Sequence, residues 1–239
     1  MTAGDRPRLC LLPGLDGTGR LYAPLVTALA DVADVDVLAY DSEQFKDYPE
    51  LAEALAPGLP ASGHVVLVAE SFAGPLAVLL AHRHPACVRG LVLAASFVHA
   101  PLPASRMGAQ LLERLPAIPL PLPILERWLA GGELPPALRV EFLTAMRTVR
   151  HDVLRRRALA ALRVDVRGEL AALQIRVLHL QAGRDRLIGR HAGRRILRCA
   201  RDARQATIDA PHFLFQMAPK AAAAGIRHFL DEIGQRKAG

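Results

Sequence analysis

Short apolar runs alternate with stretches of helical periodicity along most of this chain. Arg8 to Leu12 (RLCLL) predicts a short buried strand that runs into a glycine-rich turn, Pro13-Gly14-Leu15-Asp16-Gly17-Thr18-Gly19. A helix follows over Leu21 to Ala30, a second strand over Val35 to Tyr40 (VDVLAY) and a helix over Pro49 to Ala56. His64 to Pro75 reads HVVLVAESFAGP: four β-branched or aliphatic residues, Val65 to Val68, make a buried strand. A helix then carries proline in its first turn and closes at Arg83-His84-Pro85, with cations in its last turn. Gly90 to Ser96 is the next strand.

The rhythm then breaks. No strand is predicted between Phe97 and about Val164, and eight of the eighteen prolines fall there (Pro101, Pro103, Pro116, Pro119, Pro121, Pro123, Pro135 and Pro136). An apolar insertion cut by proline after a strand's C-terminal end predicts a helical cap over the sheet's ligand edge. Strands resume at Ile175 to Ala182 and Gln205 to Asp209, with helices near Arg190 to Arg201 and from Pro219. Strands that alternate with helices predict an α/β fold with a mostly parallel sheet flanked by helices. Residues 1–96 and 165–239 form its core, and 97–164 are the inserted cap.

Composition narrows this only a little. At 239 residues, 51% hydrophobic and 22% charged, the chain suits one globular domain with a substantial core. No apolar run reaches the ~20 residues of a membrane span, and the N-terminus holds no signal-peptide core long enough to matter. Cys10, Cys87 and Cys199 lie in separate predicted elements with no C-x-x-C pair, as expected of reduced thiols in a cytoplasmic protein. Of the 30 cationic residues behind the net charge of +7, only Lys46, Lys220 and Lys237 are lysines. Despite the high pI, basic residues are not interleaved with aromatics, so nucleic acid is not the expected partner.

The charge concentrates in the cap. Arg139, Arg147, Arg150, Arg155, Arg156, Arg157 and Arg163 stand against Glu141 and Asp152 alone, a local balance of +5. Such a run is either a solvated helix face or a surface for an acidic carrier protein or a substrate carboxylate. Arg190, Arg194, Arg198 and Arg201 make a second row at helical spacing. Leu120, Leu122, Ile124 and Trp128 either line an acyl pocket or pack the cap's own core.

Candidate chemistry centres on Ser71, at a tight strand-to-helix turn with small residues two positions away on each side, Ala69 and Ala73. That spacing is the nucleophile-elbow pattern: small neighbours let strand and helix approach while a strained backbone pushes the hydroxyl out of the sheet. The usual G-x-S-x-G has alanine for both glycines here. A nucleophilic serine needs a base and an orienting acid, which in this fold follow in the order serine, acid, histidine on loops after late strands. Asp185 follows the strand IRVLHLQA, and His212 follows QATID; His82, His84, His179 and His228 lie in helices or mid-strand. The Leu15 and Phe72 amides are the expected oxyanion donors. A phosphate loop at Gly14, Gly17 and Gly19 lacks both the G-x-G-x-x-G spacing and a Walker lysine.

Four segments, LLPGLDGTG, AESFAG, LQAGRDRLI and IDAPHFLF, resemble the oxyanion loop, elbow, acid and histidine segments of the α/β-hydrolase superfamily. Within it the chain is similar to small capped esterases, and VDVRGELAALQIRVLHLQAGRDRLI resembles the corresponding stretch of pimeloyl-acyl-carrier-protein methyl ester esterases of biotin synthesis. Where that family has His-Gly before the oxyanion residue, Pro13-Gly14 stands here. The chain begins almost at the oxyanion strand, without the leading hairpin of many relatives, which predicts about six strands. The resemblance implies ester hydrolysis through an acyl-enzyme, with Ser71, His212 and Asp185 as nucleophile, base and acid. Trp128, Arg139, Arg147, Arg155, Arg156 and Arg157 are then candidate substrate or carrier contacts. No metal or organic cofactor is called for. Thioester hydrolysis, acyl transfer and a low-turnover ligand receptor that keeps the triad are the alternatives.

Overall fold

The computed structural model describes residues 6–61, 64–101 and 121–235. Six parallel strands form one sheet in the order β2-β1-β3-β4-β5-β6. They are β1 (Arg8–Leu12), β2 (Asp34–Val37), β3 (Val65–Glu70), β4 (Val88–Ala94), β5 (Arg176–Ala182) and β6 (Ala203–Ile208). The expected α/β class, strand number and direction are all found. β1 has the expected bounds and the other strands differ from theirs by at most three residues at either end, as backbone pairing and not side-chain hydropathy sets where a ladder stops.

Alternation of side chains across the pleat explains the unbroken apolar runs. Leu9, Leu11, Val66, Val68 and Val92 face one core layer, against α1 (Ala23–Leu29) and the C-terminal helix Pro219–Gln235. Cys10, Leu12, Leu67, Ala69, Leu91 and Leu93 face the other, against α2 (Tyr48–Leu55), α3 (Ala73–Arg83) and helix Arg167–Ala172. Both faces are covered, so all six residues of β3 are buried, whereas the edge strands β2 and β6 are partly exposed. Burial raises the Cys10 thiol to about 11, so it stays protonated in this core.

Local chemistry sets the helix ends. Asp47 and Glu50 form a reciprocal capping box, which starts α2 at Tyr48, one residue before the expected Pro49. Helix α3 starts at Ala73 with Pro75 in its first turn, where no intrahelical N–H bond is lost.

Between β4 and β5 the described chain forms helices Leu122–Ala130, Pro136–Thr148 and His151–Ala161 before helix Arg167–Ala172. Backbone pairing at the neck joins Ala100 to Val164 and Val98 to Val166. The cap helices share a core of their own, in which Leu129, Phe142, Met146 and Leu154 pack with Phe213 from the main body. Pro103, Pro116, Pro119 and Leu120 lie outside the described residues. Among the described residues, no helix is long and apolar enough to cross a membrane.

Candidate active site

Ser71 sits where β3 turns into α3, with φ at +52°. A non-glycine residue held there costs of order 1–3 kcal/mol, and the surroundings fix it. The Ser71 N–H donates to the Ala94 carbonyl (2.9 Å), and the Ser71 carbonyl accepts from the Ser96 hydroxyl (2.6 Å) and the Gly74 N–H (3.1 Å). A Cβ on Gly74 would lie 1.9 Å from the Ser96 Oγ. The glycine demanded by close approach therefore stands at 74, while Ala69 and Ala73 are buried in the elbow.

The loops after β5 and β6 converge on this serine. The Ser71 hydroxyl donates to His212 Nε2 at 2.8 Å, and His212 Nδ1 donates to Asp185 Oδ2 at 2.8 Å. The Leu187 and Ile188 amides donate to Asp185 Oδ1 at 2.8 and 2.9 Å. With both carboxylate oxygens acting as acceptors, the proton of neutral His212 belongs on Nδ1 and leaves Nε2 free to accept from Ser71. The side chains of His212 and Asp185 are 3% and 1% exposed, so water does not compete for these bonds. The parallel sheet brings them together: β3, β5 and β6 all end at the same rim, and each is followed by one of the three residues.

Leu15 and Phe72, the expected oxyanion donors, line the same cavity as Ser71 and His212. Phe72 is the residue just before α3, so its N–H belongs to a helix N-terminus. Its carbonyl accepts from the Tyr48 hydroxyl at 3.0 Å. The cavity measures about 310 Å³, and the cap contributes Leu125, Leu129, Phe142, Met146 and Leu162 to its lining. No lysine or arginine is among its described lining residues.

The expected cap contacts disperse. Trp128 (52% exposed) and Ile124 (58%) point to solvent and do not line the cavity; Leu125 and Leu129, about 100° round the same helix, do. Leu122 packs on the cap core. Arg139 is exposed and pairs with the buried Glu126 at 3.1 Å, Arg147 is exposed, and Arg155 is half-buried. Arg156 lies over the Phe45 ring at 4.3 Å. Arg157 departs most from the expected surface role. It is 2% exposed and donates to the carbonyls of Leu15 (3.0 Å), Asp16 (2.9 Å) and Asp41 (2.6 Å). Burial lowers its pKa below the usual arginine value, opposed by Tyr40, Asp16 and Asp41.

Glu70 and Gln216 were not anticipated. Glu70, adjacent to Ser71, is buried and accepts from the Gln216 side-chain amide at 2.9 Å and the Phe215 N–H at 3.5 Å. Burial lifts its carboxyl to about 7, against the opposing pull of Gln216, His212 and the Phe215 N–H. A carboxylate closing an otherwise apolar strand, VVLVAE, was the available signal.

Comparison with known proteins locates the architecture. No family model matches the chain, and no curated protein does. Among solved structures it is similar to a thermophilic esterase from Thermogutta terrifontis, with a TM-score of 0.79 and 19% identity over 95% of this chain and 90% of that one. A lipase-esterase related protein from Clostridium acetobutylicum gives 0.77 and 17% over 94% and 95%. A hydrolase from Pseudomonas aeruginosa gives 0.74 and 20% over 95% and 91%. Identities this low speak to fold alone. Six parallel strands covered on both faces, together with this likeness over nearly the whole chain, give it the α/β-hydrolase fold.

Proposed function

We propose that the chain is a serine hydrolase that cleaves a carboxylic ester through an acyl-enzyme on Ser71. One observation carries the reading: the continuous Ser71–His212–Asp185 hydrogen-bond chain, opening into an apolar cavity from a serine at positive φ. As the Ser71 hydroxyl attacks the ester carbonyl, His212 Nε2 takes its proton, and Asp185 holds the imidazolium and its tautomer. The Leu15 and Phe72 amides receive the negative carbonyl oxygen. Collapse of the tetrahedral intermediate expels the alcohol, which leaves with the proton from His212. Water then gives a proton to His212 and attacks the acyl carbonyl, and His212 returns that proton to the Ser71 oxygen as the acyl–oxygen bond breaks and the acid leaves.

The apolar lining supports an ester whose buried group is neutral and hydrocarbon-like. The motif resemblance, with the exposed Arg147 and Arg156 on the cap, supports a finer reading: the methyl ester of an acyl chain borne on an acidic carrier protein. The test is a panel of p-nitrophenyl esters from acetate to decanoate, with fluorophosphonate labelling of the wild type and of Ser71→Ala. Labelling and multiple turnovers in the wild type, with turnover down about 10⁴-fold or more in a folded Ser71→Ala, are expected. Near-wild-type hydrolysis by that variant would overturn the reading. Rapid labelling of the wild type without repeated turnover would assign the chain a receptor role instead.

A further inference from the structure

Across a planar trans peptide, N–H and C=O point in opposite directions, so fixing a carbonyl aims the amide that follows it. The segment Pro13 to Asp16 is held in this way at every carbonyl. The Tyr40 hydroxyl donates to Pro13, the Gly17 N–H donates to Gly14 at 3.1 Å, and Arg157 Nη1 donates to both Leu15 and Asp16. The Gly14 carbonyl accepts from the Gly17 N–H, so the Leu15 N–H, in the same peptide plane, points the other way. Arg157 reaches that amide through the turn: its bond to the Asp16 carbonyl fixes the Asp16–Gly17 peptide, whose N–H holds the Gly14 carbonyl.

Only Arg157 among these donors comes from the cap, 142 positions along the chain from Leu15. Its other branch ties to the Asp41 carbonyl, and its guanidinium carbon lies 5.3 Å from the centre of the Tyr40 ring. A Cβ at Gly17, whose φ is +72°, would meet the Tyr40 ring at 2.5 Å and Arg157 Nη1 at 3.0 Å. The loop is thus moulded around the buried cation. An anchor that only glued cap to body would be met by the apolar contacts already present in the cap core. A fully buried guanidinium spent on three carbonyls, two of them at Leu15 and Asp16, is a directional device.

We propose that Arg157 is a positioning residue that aims the Leu15 amide at the developing oxyanion, so that the oxyanion hole is complete only with the cap in place. The inference rests on the esterase reading above. Pro13 and Gly14 bring no side-chain hydrogen bond of their own to the loop, and Arg157 supplies two to its carbonyls from the cap.

The test compares wild type, Arg157→Met and Arg157→Lys on p-nitrophenyl butyrate. It also measures the affinity of an alkyl trifluoromethyl ketone, which adds to the serine hydroxyl and places a true oxyanion in the hole. Arg157→Met is expected to lower kcat about 10- to 100-fold with KM held within about threefold, and to weaken the ketone by the same factor as kcat/KM. Arg157→Lys, which keeps the charge and can reach fewer carbonyls, should recover part of both. A folded Arg157→Met with wild-type kcat, or with reduced kcat but unchanged ketone affinity, would overturn the inference. If the Met variant does not fold, the same two criteria apply to Arg157→Lys. Ser71→Ala separates the two claims: if it retains turnover, the esterase reading fails and takes this inference with it. If it is inactive while Arg157→Met is fully active, the positioning role alone is lost.

Discussion

The elbow and the oxyanion loop face each other across one cavity, and they are built in different ways. At the elbow, Ser71 is gripped by the end of the neighbouring strand and by its own helix: the Ala94 carbonyl, the Ser96 hydroxyl and the Gly74 N–H. The Ala94 bond continues the pairing of β3 with β4, and the Ser96 hydroxyl and the side-chain-free Gly74 complete the grip from the strand end and the helix start. At the oxyanion loop, the positioning groups are side chains, the Tyr40 phenol and the Arg157 guanidinium, delivered by a loop and a cap helix. On the proposed mechanism the nucleophile depends on the sheet, and the amide that stabilises its oxyanion intermediate depends on the cap. Damage to the first should act on chemistry alone; damage to the second should couple chemistry to the cap.

The rim offers the largest effect with which to break this contrast. Asp185→Asn keeps the shape but disturbs the tautomer of His212, and a fall in kcat of about 10³- to 10⁴-fold is expected with KM nearly constant. Steady-state kinetics on one short ester measures it; a loss below tenfold would show that Asp185 does not orient the histidine.

A smaller effect comes from behind the elbow, where Glu70 ties β3 to the short helix Leu214–Met217 that carries Phe215 and Gln216. Folding lifts its pKa from 4.5 to about 7, so the folded state binds more protons than the unfolded state between those values. The sign is that stability from this group is fully present below pH 4.5 and is lost as pH rises through 7. The full shift corresponds to roughly 3 kcal/mol. Glu70→Gln should therefore gain about 1–3 kcal/mol on the wild type between pH 5 and pH 8, read from urea unfolding at both. Parallel pH dependence of the two proteins would assign the lifted proton affinity elsewhere.

The smallest effect tests the cap's outer face. Reversing Arg147 and Arg156 to Glu should raise KM for a carrier-bound acyl ester about 5- to 10-fold and leave p-nitrophenyl butyrate unchanged. Equal effects on both substrates would remove the carrier from the proposal. Arg157 has no place in that reversal, as its charge faces the oxyanion loop.

The cap also shows where a legible pattern went unread. In helix His151–Ala161, Val153 and Leu154 are buried while Ala158 and Ala161 line the cavity, and residue 157 falls on the same inward stripe. Arg155, Arg156 and Arg157 look alike as a charge run, yet steps of about 100° send them to different surroundings. Helical periodicity places position 157 on the inward stripe, whereas its charge alone suggested a surface role. Trp128 presents the converse case. Its hydrophobic bulk suggested the pocket, while the inward stripe of its helix runs through Leu125 and Leu129.

From sequence alone came the strand order in time, the parallel α/β class, the turn at Ser71 and the post-strand positions of Asp185 and His212. All of these depend on patterns a few residues wide, in which hydropathy and turn chemistry act locally. The tertiary structure decided which carbonyls receive the buried guanidinium, which strand-end carboxyl is desolvated, and that the glycine of close approach is Gly74. Those outcomes depend on which distant surfaces meet, and no short stretch of chain encodes its own neighbours across 142 residues.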